Sequence, residues 1–202
     1  MLSRRVTPRG MTLIELIVAM TIIALALLAA MPSIGGWIGN TQVRNTALSI
    51  QAGLVQARTE AVRRNQAVRF SLVSLTDSSV MDNSCALSSN GVSWVVSLDD
   101  PATKCAVDPS DSVTPRIVNK QGGGVGGKNV VVSAVQTDNT AASSVTFNGF
   151  GRVADATPLA RIDVDNQISG GDNRALRILL SAGGNVRTCD IKVTSPTDPR
   201  KC

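Results

Sequence analysis

Glu15, four cysteines, a few clustered aspartates and a glycine-rich stretch are the groups of this 202-residue chain with chemistry to offer, and the composition holds no His and no Tyr. Without an imidazole there is no Ser-His-Asp triad, no Cys-His pair and no His general base, so most hydrolase chemistry is excluded and no enzyme is expected. Cys85, Cys105, Cys189 and Cys202 lack the CxxC spacing of a tetrathiolate zinc site and read as disulfide partners in an oxidising compartment. Sequential pairing is the expectation, with Cys189–Cys202 tying down the C-terminal tail, although sequence leaves the other pairings open. Asp163, Asp165 and Asp172 near Gly170 and Gly171 suggest a cation cluster, but a hard cation needs about six or more oxygens, and two acids alternating on a strand face read as solvated. Gly122-Gly123-Gly124-Val125-Gly126-Gly127-Lys128-Asn129 nearly spells a phosphate-binding loop. It lacks the hydroxyl after Lys128, and Val130 starts a strand where a helix N-terminus must face the phosphates, so a hairpin tip is expected instead. No metal site and no cofactor are expected.

Glu15 is the acid that demands an explanation. Residues 16–43 carry no ionisable side chain, and from Leu16 to Met31 the chain is almost unbroken Leu, Ile, Val, Ala and Met. As a helix rising about 1.5 Å per residue, residues 11–31 cover the roughly 30 Å of a bilayer core. Arg4, Arg5 and Arg9 precede it without an acid to offset them, so the N-terminus should stay cytoplasmic and the rest cross outward. Trp37 falls either at the interface or in a core. A secretory signal peptide shares the basic start and apolar run. A carboxylate inside such a helix, however, costs on the order of 3 kcal/mol, so it should be absent unless something uses it. Glu15 reads as half of a salt bridge.

The elements that position these groups follow from periodicity. Val43, Ala47, Ile50, Leu54, Ala57 and Ala61 alternate spacings of four and three, which predicts an amphipathic helix to about Asn65 with its stripe against a sheet. The Arg63-Arg64 pair reads as a solvated or fibre-packing face. Pro32, Gly35, Gly36 and Gly39 should weaken or bend the helix before it. From Val68 the period becomes two. Strands are expected at 68–72, 93–98, 130–135, 161–165, 176–180 and 187–193, separated by Gly, Asn, Asp and Ser turns. The fold class is α+β, a long N-terminal helix packed on an antiparallel sheet or sandwich of roughly seven strands. Phe70, Trp94, Phe147 and Phe150 are expected in its core, with a turn at 148–152. The organisation is a leader at 1–10, a membrane and assembly helix at 11–36, an amphipathic helix at 37–66 and a β domain at 67–202. The formal charge is +5, yet residues 70–202 hold 12 basic and 13 acidic groups, so the β domain is no general basic platform.

Gly10-Met11-Thr12-Leu13-Ile14-Glu15, behind a basic leader and ahead of the apolar run, resembles the signal of type IV prepilins and type II secretion pseudopilins. The resemblance implies cleavage between Gly10 and Met11 by a prepilin peptidase, N-methylation of Met11, and a Glu15 that pairs with a neighbouring subunit's amino terminus. Phe is usual where this chain has Met11. Cleavage before the apolar segment keeps the anchor while removing three arginines that hold it in the bilayer, and a paired charge in a stack of such helices costs far less than a lone one. The segments 56–65, 146–152 and 181–189 are similar to GspH/FimT-type minor pilins and pseudopilins. This implies a structural subunit that helps start or cap a type IV pilus, single-pass in the inner membrane with a periplasmic domain, and partnered by other pilins or pseudopilins. An H-type minor pseudopilin of type II secretion is the alternative. A DNA-binding pilin is a further one: members that take up DNA use Gly-Arg-x-Arg, where this chain has Gly184-Asn185-Val186-Arg187. That alternative centres on Arg187, Lys192, Arg200 and Lys201, each a cation able to meet a phosphate.

Overall fold

Helix α1 runs from Leu13 to Arg64, and its last six or so turns show why the three-four spacing matters. Val43, Ala47, Ile50, Leu54, Ala57 and Ala61 are all buried, while Leu48, Val55 and Val62 on other faces are exposed. The helix stops where Asn65 takes a left-handed φ of 50°, with Gln66 N donating to Ala61 O at 3.2 Å. Arg63 and Arg64 in the last turn suit the negative end of the helix dipole. The computed structural model describes residues 10–126, 129–167 and 173–202, with the backbone alone for residues 28–34 and 125–126. It divides into a unit ending at Trp37 and a second unit, Ile38–Cys202. Helical backbone continues through Pro32, Gly35, Gly36 and Gly39, the residues expected to weaken it.

Nine strands follow among the described residues: β1 (Val68–Ser74), β2 (Ala86–Leu87), β3 (Ser93–Ser97), β4 (Ile117–Gln121), β5 (Val130–Gln136), β6 (Ser144–Phe147), β7 (Leu159–Asn166), β8 (Leu176–Leu180) and β9 (Val186–Asp190). They form two antiparallel sheets. The first has the order β2-β1-β3-β4 with β6 also on β1, and the second has the order β5-β7-β8-β9. The α+β reading holds, and the two sheets share one helix. Phe70, Leu72, Trp94, Val96, Val145 and Phe147 of the first sheet and Val132, Ile162, Val164 and Ile178 of the second join the α1 stripe in a single core. On the other face of the first sheet, Val73, Val95 and Ile117 pack with Cys85 and Cys105 in a smaller cluster. Gly53 sits mid-helix because a Cβ there would lie 2.8 Å from Phe70 and 2.9 Å from Trp94. Three polar side chains of α1 fasten the strands: Trp94 Nε1 donates to Ser49 Oγ (3.0 Å), Asn119 Nδ2 to Gln56 Oε1 (2.7 Å) and Thr188 Oγ1 to Gln51 Oε1 (2.9 Å).

Two expectations are corrected. The glycine-rich stretch is no hairpin tip, because β4 pairs with β3 while β5 pairs with β7 in the other sheet. Gly123–Gly126 form a 3₁₀ turn on that crossover, with Gly123 N donating to Ser93 Oγ at 2.9 Å, and Gly127 and Lys128 lie outside the described residues. Phe150 is 85 % exposed rather than in the core. It rides a turn closed by Asn148, whose Oδ1 accepts from Phe150 N (3.0 Å) and Arg152 N (3.1 Å), and the space behind that turn is taken by Arg58.

Arg58 joins the three segments 56–65, 146–152 and 181–189. Its Nε donates to Gly151 O (3.0 Å) and its Nη1 to Asn185 Oδ1 (3.4 Å). Gly184 lies so close to this clasp that a Cβ would sit 2.1 Å from Gly151 O, at a φ of +79°. Gly184→Ala should therefore destabilise the domain by about 2 kcal/mol or more, read as a lowered denaturant midpoint at unchanged slope. A milder effect is expected at the helix end, where hydrogen bonds from Arg63 and Arg64 hold Glu60 below the ordinary carboxylate range. A depressed folded value means that the stabilisation is present above the unfolded pKa and is lost as pH falls through the folded one. Glu60→Gln should cost about 0.5–1 kcal/mol at neutral pH, and thermal melts of variant and parent should converge in acid.

Candidate functional site

The first turn of α1 is built by Thr12. Its Oγ1 accepts from Glu15 N at 3.3 Å, and its carbonyl accepts from Leu16 N at 3.2 Å, so Thr12 is the cap and Glu15 stands three residues into the helix. This Thr-x-x-Glu spacing is that of a capping box, and it places a carboxylate where the positive end of the helix dipole favours one. Glu15 thus has a local reason to stand in the first turn, which the sequence reading missed although Thr12 and Glu15 both lay in the quoted motif. Gly10, Met11 and Glu15 are all exposed.

Beyond this turn the surface is oily all round. Leu13, Ile14, Leu16, Ile17, Val18, Met20, Ile22, Ile23, Leu25 and Leu27 are each exposed, so successive residues place apolar side chains on every face and not on one stripe. A helix of that kind requires an apolar surrounding on all sides. Among the described residues, no helix is long and apolar enough to cross a membrane. The described side chains of the apolar run end at Leu27, and the remainder of the expected span falls on residues 28–34, whose side chains lie outside those described. Trp37 is 71 % exposed. The leader at 1–9 also lies outside the described residues.

Apart from Cys85 and Cys105, which pack on the first sheet, the remaining described candidate residues lie on the second sheet and its tail. Cys189 is bonded to Cys202, and Cys85 to Cys105, with no free cysteine among the described residues. The first of these bridges folds the tail back onto β9: Asp190 N donates to Arg200 O (2.7 Å), and Asp190 pairs with Lys201 as a parallel bridge. Arg187 Nη2 donates to Lys201 O. Arg187, Arg200 and Lys201 are thereby gathered, whereas Lys192 is on the turn after β9, where its N–H donates to Asp190 Oδ1. Arg200 grips Asp198 with two nitrogens, at 3.1 and 2.7 Å, and that grip pulls the Asp198 carboxyl down to about 2. Its charge is spent locally. Asp163 is likewise engaged, accepting from Arg177 at 2.7 and 2.9 Å. Asp172 lies outside the described residues, and among those described no group of three or more His, Cys, Asp or Glu side chains could hold a metal.

Comparison with known proteins bears on both ends of the chain. A family model described as type II transport protein GspH matches residues 46–184, and one described as the prokaryotic N-terminal methylation motif matches residues 7–31. No curated protein matches. Among solved structures, the chain is similar to the type IV minor pilin FimU of Pseudomonas aeruginosa strain PAO1 in two crystal forms. The first is 17 % identical with a TM-score of 0.44, over 72 % of this chain and 86 % of that one. The second is 16 % identical with a TM-score of 0.42, over 72 % and 90 %.

The capping geometry makes a direct prediction. Thr12→Ala removes the acceptor for Glu15 N and should fray the first turn at a cost of about 1 kcal/mol, whereas Thr12→Ser should keep it. Amide exchange at Glu15 of the full chain in detergent should be accelerated in the first variant and unchanged in the second.

Proposed function

We propose that this chain, which belongs to the type II transport protein GspH family, serves as a minor pilin that helps to start or cap a type IV pilus. Its role is structural. The observation that carries this reading is the exposed helix from Leu13 to Leu27, apolar on every face and bearing a single acid in its first turn, joined in sequence to a domain with its own core. Such a helix has two suitable surroundings, a bilayer before assembly and the helices of other subunits afterwards.

In this scheme residues 11–36 anchor the chain in the inner membrane, residues 37–66 carry the amphipathic helix, and residues 67–202 form the periplasmic β domain. A prepilin peptidase cuts between Gly10 and Met11 and leaves Met11 to be N-methylated. Removing Arg4, Arg5 and Arg9 deletes the charges that hold the helix at the cytoplasmic face. The new ammonium of one subunit then has a partner in Glu15 of a neighbour, where the low dielectric of a helix stack strengthens the attraction and a lone charge would be costly.

The family description itself favours a second reading, a minor pseudopilin of a type II secretion machine, since residues 46–184 match a model bearing that name. Both machines use the same processing and the same pairing of Glu15. Loss of the gene with retained secretion and reduced surface pili supports the first reading, and the reverse supports the second. For either, intact mass should show a chain that begins at methylated Met11, and Glu15→Gln should leave the domain's melting unchanged while incorporation into sheared fibres drops at least tenfold. A mature chain starting near Met31, or normal incorporation of Glu15→Gln, overturns the subunit reading.

A further inference from the structure

On the face of the second sheet turned away from α1, strand register sets two arginines side by side. Arg161 of β7 is opposite Leu179 of β8, and Leu179 is opposite Arg187 of β9, so the two guanidinium-bearing residues flank one leucine in a single row across three strands. Strands two apart are separated by about 10 Å. This row forms part of an open groove of about 530 Å³ that no carboxylate lines, whose rim carries the amides of Gln136, Asn139 and Asn185 and the hydroxyl of Ser181.

Neither arginine has a carboxylate to itself. Arg161 makes no side-chain hydrogen bond among the described residues, and its Nε is buried without such a partner. The closest carboxylate, Asp163, is 3.6 Å from that Nε and already accepts from Arg177 with both oxygens. Arg187 gives one nitrogen to a backbone carbonyl, Lys201 O, which takes up no charge. The sheet thus carries two arginines on strand positions about 10 Å apart, flanking a small aliphatic floor bordered by groups that both donate and accept hydrogen bonds.

We propose that this groove binds an acidic oligosaccharide, a chain of uronic-acid type. A guanidinium meets a carboxylate with two parallel hydrogen bonds, and the spacing of the two arginines suits carboxylates on successive or alternate sugar rings. Sugar hydroxyls match the three amides and the serine hydroxyl, and the C–H face of a ring suits Leu179. A cavity of this volume lies in the range of small-ligand sites. Nucleic acid fits less well, because no aromatic side chain lines the groove to stack a base, and the neighbouring Arg200 is paired with Asp198 and so does not extend a phosphate track. This assignment is independent of which machine the chain serves.

The test is titration of the full chain in detergent micelles with trigalacturonate, neutral maltotriose, triglutamate and oligothymidylate, followed by calorimetry. Trigalacturonate should bind at least tenfold tighter than the other three. Arg161→Gln should weaken it about tenfold or more, the value of one lost charge-assisted contact, and Gln136→Ala should weaken it a few-fold. Arg200→Gln, outside the groove, should bind as the parent does. Should Arg161→Gln prove unfolded by circular dichroism, Gln136→Ala decides alone. Equal binding of maltotriose, preference for triglutamate or oligothymidylate, or parental affinity in a folded Arg161→Gln overturns the assignment.

Discussion

Burial of the α1 stripe from Val43 to Ala61 is the contact on which the described domain rests. Each of its larger members, Val43, Ile50 and Leu54, is fully covered, which stabilises by about 1.5–3 kcal/mol per side chain. The stripe does more than add apolar area. Two sheets that share no strand, one of them β2-β1-β3-β4 and the other β5-β7-β8-β9, have α1 as their common surface. Small residues at Ala47, Gly53, Ala57 and Ala61 let strands approach the helix backbone, most closely where Phe70 and Trp94 press on Gly53. A sheet needs an apolar layer against one face, and here one helix supplies that layer for both.

Arg58 shows how the domain's irregular parts are held. It reaches from the helix to the 148–152 turn and to the loop between β8 and β9, satisfying a backbone carbonyl and a side-chain amide. The backbone at Gly151 and Gly184 is left-handed, with φ of 72° and 79°, a conformation that glycine adopts without penalty. The three segments 56–65, 146–152 and 181–189, distant in sequence, meet at this arginine. Phe150 is pushed outward by the same geometry.

Much of this was legible in the sequence, and the exceptions have physical reasons. The helix stripe and the strands with long alternating runs stood out because a regular element with one buried face imposes its period on composition. β2 and β6 were missed because they are short and owe their existence to β1, along whose one edge they line up at Val73–Ser74 and Val68–Ser71. β4 was missed because only Ile117 is fully buried in it, so its pattern carries little contrast. The division into two sheets could not be read from turn residues, since a hairpin and a crossover use the same glycines. Phe150 was misplaced because aromatic residues usually fill cores, whereas this one is set by a turn. At the N-terminus the lone acid was noticed, but the hydroxyl three residues before it, which explains its local geometry, was read only as part of a motif.

The Cys189–Cys202 bond has a mechanical consequence. Any pull applied at the N-terminal helix reaches the strands through the interlocked Val43–Ala61 surface, where side chains must slide past one another together and resist as a block. On the other side of the domain, the tail is stapled to β9 and its Arg200 and Lys201 backbone is matched against Asp190. The covalent bond keeps the tail from peeling off β9, so load applied to the tail passes directly to β9 and is resisted by the five residue pairs that β9 makes with β8.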